Sequence, residues 1–127
     1  MWTLIRNGGV VPMSFIMLFG ATALLAAFHF AIRGQRRTLG FVKSMAQATL
    51  FTTLAATAAD LGATLYAAEK TFAAGESEAA QAPRVAHLVV EGFAESTSPG
   101  IVGFSFLGLT AMLTAVGRRR MDERAPA

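Results

Sequence analysis

Five residues share a spacing that could do chemistry: Thr49, Thr53, Thr57, Asp60 and Thr64, separated by four, four, three and four positions. At about 100° per residue they fall on a narrow arc of one helix face. The surrounding residues are apolar, so a hydroxyl and carboxyl stripe here has two readings. It could line an aqueous path. Alternatively, threonines in a membrane helix bond back to the carbonyl four residues earlier, and their small size lets helices approach. Asp60 weighs differently. An ionisable side chain inside a membrane costs roughly 3 kcal/mol, and it marks by default a cavity or an ion path. A neutral aspartate hydrogen-bonded to a neighbouring helix is the structural alternative.

Other polar residues offer less. His29, between Phe28 and Phe30, reads as interfacial, and His87 as a solvated surface residue. No His/Asp/Glu spacing suggests a metal ion, and no Ser/His/Asp arrangement suggests a hydrolase. "RNGGVV" precedes an apolar run and lacks the Gly-Lys ending of a phosphate loop. Neither enzymatic activity nor a metal or cofactor is expected.

The elements that must position the stripe are membrane spans. The 127 residues are 54% hydrophobic and only 15% charged, against about 25% charged in soluble domains. The lack of cysteine removes disulfides and thiolate metal sites. Three apolar runs, about residues 10–32, 44–68 and 99–117, suit a bilayer core that needs roughly 20 residues per helix. The first is too long for a signal peptide, and Arg33, Arg36 and Arg37 stand where cleavage would occur. The predicted fold is an all-α membrane protein with three transmembrane helices in a single domain.

Basic residues set the direction. The connection after the first span carries Arg33, Arg36, Arg37 and Lys43 and no acid, and Arg118, Arg119 and Arg120 begin a charged tail over 118–127. The connection from Glu69 to Pro99 carries five glutamates against Lys70 and Arg84. The positive-inside rule puts the first connection and the C-terminus in the cytoplasm, and the N-terminus and acidic connection outside. Basic residues beside apolar spans are topology determinants, so nucleic acid is not an expected partner. Within the acidic connection, Gly75 and Pro83 read as helix breakers. Residues 84–98 read as an external amphipathic helix, with Val85, Leu88, Val89 and Phe93 on one side. It is expected to continue into the third span with a kink near Pro99, whose missing N–H frees the Glu95 carbonyl. The alternative is a fresh helix start with Ser98 as N-cap.

"VVEGFAESTSPGIVGF", Val89 to Phe104, resembles the approach to the last membrane helix of the MotA/TolQ/ExbB proton-channel family, with Gly92, Glu95, Gly103 and Phe104 following its pattern. "RNGGVVPMS" is similar to the Gly-Gly start before the family's first span. The three-span topology with the N-terminus outside is that of the ExbB and TolQ branch. By this resemblance, Glu95 matches the functional glutamate at the head of the last helix. Thr57 in "TLAATA" matches a pore threonine, with Thr53 and Ala56 in place of the family's glycines. The second pore threonine falls on Gly100, and the large cytoplasmic region between the first two spans is absent. Asp60, one turn from Thr57, has no counterpart in the motif.

The resemblance implies a subunit of an oligomeric proton channel or stator-like complex in the bacterial inner membrane, coupling the proton motive force to work. Three helices cannot enclose a pore, so a conducting path requires several copies, a pentamer by resemblance, around a single-span ExbD/TolR-like partner. Asp60, Glu95 and Thr57 form the expected proton path, and Thr53, Thr64, Gly100 and Thr110 are candidates for its lining. The competing expectation is a non-conducting structural or assembly protein that keeps the family's helix packing.

Overall fold

The computed structural model describes residues 10–73 and 78–123. Three helices account for nearly all of them: α1 (Val10–Arg33), α2 (Arg36–Ala73) and α3 (Glu78–Glu123), with no strand among the described residues. Gly8, Gly9, Gly75 and the tail beyond Glu123, on which parts of the sequence reading rest, lie outside them.

α1 ends because Gly34 takes a left-handed conformation, φ 66°, at no steric cost. Its N–H donates to the Phe30 carbonyl at 2.8 Å, the single-bond form of a left-handed helix cap. Gln35 completes a two-residue turn, and its carbonyl accepts from the Thr38 N–H at 3.0 Å to start α2. So short a connection makes α1 and α2 an antiparallel hairpin. The paired clusters agree: Met13 and Ile16 meet Ala56, while Ala27 and Phe30 meet Val42 near the turn.

α3 lies parallel to α1 and antiparallel to α2, and all three helices touch one another. Gly20 faces Phe106, and Gly117 faces Phe30; the offset between partners is nearly constant, as parallel helices require. The Arg120 guanidinium donates to the Ala31 carbonyl at 3.1 Å, capping the C-terminal end of α1 from the last turns of α3. On the α2 side, a side chain at Gly103 would collide with Thr53, and one at Gly92 with Thr64. These two contacts are eleven residues apart on each helix, three turns, in opposite directions. They fix the register of the α2–α3 seam.

Two expectations about α3 resolve differently. The helix runs unbroken through Pro99, with Ser98 and Pro99 both buried, so Ser98 does not cap a new helix. Pro83 does not break it either, because α3 already begins at Glu78. A proline there removes the N–H that would serve the carbonyl four residues back, a loss that water can make good at an exposed end.

Two helices are long and apolar enough to cross a membrane, α1 and the Ala82–Glu123 part of α3. α2 falls short of that hydropathy although it contains the expected 44–68 span. Its deficit comes from Gln47, the threonines and Asp60. The apolar side chains of α1 and α3 are largely uncovered: Phe15, Leu18, Leu25, Phe28, Phe104 and Met112 are about half exposed or more. A soluble bundle would bury its apolar stripes. Helices that are apolar all round and exposed suit a lipid surrounding.

Candidate functional site at the α2–α3 seam

The polar stripe of α2 is turned inward. Thr49 and Thr53 are 0% exposed, and Thr57, Asp60 and Thr64 are half-buried. Each threonine hydroxyl donates to the carbonyl four residues earlier: Thr49 to Met45, Thr53 to Thr49, Thr57 to Thr53, and Thr64 to Asp60, at 2.7–3.0 Å. The donors are therefore spent within their own helix. Thr53 fills the notch at Gly103 and Thr64 the notch at Gly92. The stripe finds its cover inside one chain, so its polarity does not by itself demand a second copy.

Asp60 is different. It and Glu95 line one cleft of about 290 Å³ between α2 and α3, together with Ala63, Thr64, Ala67, Leu88, Glu91 and Gly92. The Asp60 Oδ2 atom is buried without a hydrogen-bond partner. A buried carboxylate oxygen left bare is costly, so the site suits an arriving proton, water or donor. Helix geometry explains the meeting. Asp60 follows Thr53 by two turns, Glu95 precedes Gly103 by two turns, and the antiparallel seam brings both to the same level.

Glu91 is the residue that the sequence reading passed over. It lies one turn before Glu95 on the same face, lines the same cleft, and sits 3.8 Å from His87 across an exposed i, i+4 pair. The spacing Glu91–Glu95 was the available signal, since i, i+4 residues project from one side. Among the described residues no group of His, Cys, Asp and Glu is arranged to hold a metal ion.

The remaining candidates scatter. Thr57 is one turn below Asp60, and its hydroxyl serves the Thr53 carbonyl. Gly100 is half-buried one residue after Pro99. Thr110 is 2% exposed, about four turns from the carboxyl cleft along α3, and its hydroxyl has no partner among the described residues. The structure thus gathers Asp60, Thr64 and Glu95 at one cleft, stacks Thr53 and Thr57 beneath it, and leaves Thr110 at the other end of the seam. No protein-family model, curated protein or solved structure matches this chain.

Proposed function

We propose that this protein is a multi-pass subunit of the bacterial inner membrane that passes protons between Glu95 and Asp60. It works as one copy of a homo-oligomeric, stator-like channel of the MotA/TolQ/ExbB kind, with a single-span ExbD/TolR-like partner. The N-terminus and the carboxyl cleft face outward, the C-terminus faces the cytoplasm, and α3 extends outward past a kink near Pro99. The observation that carries this reading is the shared cleft: two carboxyls from different helices at one level, one of them with a bare oxygen. Glu95 takes a proton from external water and becomes neutral. It gives that proton to the Asp60 carboxylate and is ionised again. Each group alternates between neutral and charged forms, as general acid–base transfer demands. The proton leaves Asp60 for a carboxylate of the partner, because the threonines below Asp60 already donate to their own helix.

A non-conducting structural role has its own support in those same threonine bonds and in the two glycine notches, which are packing devices. One experiment separates the two. Proton flux is measured in liposomes holding the protein and its partner, with oligomer size followed alongside. Under the proton reading, Asp60→Asn and Glu95→Gln keep the oligomer and lower flux at least about a hundredfold, the lower end of what general acid–base groups supply. Unchanged flux in both variants leaves the structural role.

A further inference from the structure

At the opposite end of the seam, α2 and α3 line a groove of about 450 Å³. Its walls are small or apolar: Val42, Ala46, Leu107, Ala111 and Ala115. At its mouth stand Lys43 and Arg118, both exposed and neither in an ion pair among the described residues, whereas nearby Arg119 is held by Glu123 and Arg120 by the Ala31 carbonyl. Two exposed cations at the rim of an apolar groove call for an anion that carries a hydrocarbon part. One molecule supplies both: a phosphate at the mouth and a hydrocarbon chain along the walls.

We infer that this groove binds one anionic phospholipid of the cytoplasmic leaflet, its phosphate between Lys43 and Arg118 and a hydrocarbon chain along the apolar walls. The inference rests on the membrane placement proposed above and is independent of proton transfer. Charge favours this occupant over a second copy of the chain. The described residues near the inner end include only two acids, Asp122 and Glu123, the latter already paired with Arg119. Each basic residue at a membrane surface contributes about 1 kcal/mol toward anionic lipid, and two together give a preference of roughly thirtyfold.

The test uses the full chain in nanodiscs of mixed phosphatidylglycerol and phosphatidylcholine, with retained lipid identified by native mass spectrometry. The expected result is one phosphatidylglycerol per chain, enriched at least about tenfold over phosphatidylcholine. Lys43→Gln combined with Arg118→Gln removes that enrichment, Arg119→Gln leaves it, and excess glycerol phosphate does not displace the lipid. Equal retention of both lipids, or enrichment that survives the double variant, overturns the inference. So does efficient disulfide formation between copies carrying Ala111→Cys, which places a second chain in the groove. Extraction of the protein from membranes by alkaline carbonate overturns the membrane placement itself; an integral protein without lipid preference overturns only this inference.

Discussion

The two ends of the α2–α3 seam are built from the same pair of helices and have opposite chemistry. One end opens into a cleft with Asp60, Glu91 and Glu95; the other opens into a groove flanked by Lys43 and Arg118. Between them Thr53 closes on Gly103. Lys43 and Asp60 are seventeen residues apart, about 25 Å along a helix, against a hydrocarbon core of about 30 Å. In the orientation proposed above, with Lys43 at the inner headgroups, Asp60 would sit close to the outer edge of the core rather than at its centre. That placement lowers the cost of its charge, since the penalty is greatest at the bilayer midplane. The contrast teaches that charge in this molecule is spent at the rims, and the middle is held by size matching alone.

The largest expected effect is all-or-none and bears on which end faces which compartment. A reporter fused after Lys43 is expected to be cytoplasmic and one at Gly75 external; opposite labelling in intact cells would reverse both ends of the comparison. Next comes the middle. Gly103→Ala sets a methyl against a threonine that is fully buried and cannot swing away. Overpacking of this kind costs about 1–3 kcal/mol, read as a lower melting temperature in detergent. Pairing it with Thr53→Ala should recover most of the loss. The same change at Gly92 meets Thr64, which lines the open cleft and has room to turn, so Gly92→Ala should cost less than half as much. A larger cost at Gly92 than at Gly103 would break the distinction between closed middle and open end. The smallest effect belongs to Arg120→Gln. Loss of its bond to the Ala31 carbonyl should cost about 0.5–1 kcal/mol, the scale of a cation at a helix C-terminus, in the same melting assay.

Much of this arrangement was legible in the sequence because helical periodicity is a strong local signal. The stripe from Thr49 to Thr64 and its shared face follow from spacing, and of the two readings at Pro99 the structure has the continuous helix. The meeting of Asp60 with Glu95 is a long-range fact, expected from helices running in opposite directions and borne by an antiparallel seam whose register no periodicity reveals. What covers the stripe was not legible. Gly92 and Gly103 look like residues of a family motif, and only the register of α3 shows them as seats for Thr64 and Thr53. Glu91 was missed because its i, i+4 spacing from Glu95, the one signal it carries, does not stand out in an acidic segment until the facing helix is known. Pro83 misled for a physical reason: proline disfavours a helix interior, yet an end exposed to water tolerates the lost bond.

The cap that Arg120 places on α1 sets an order of events during synthesis. The α1–α2 hairpin needs only the two-residue turn at Gly34 and Gln35, so its loop closes at small entropic cost as soon as α2 emerges. Gly117 and Arg120 are made some ninety residues after their partners Phe30 and Ala31, when most of α3 already exists. Until then the Ala31 carbonyl has no guanidinium, and the groove beside Phe30 stands open. Maturation of this protein is therefore the late docking of its last helix onto a hairpin already in place.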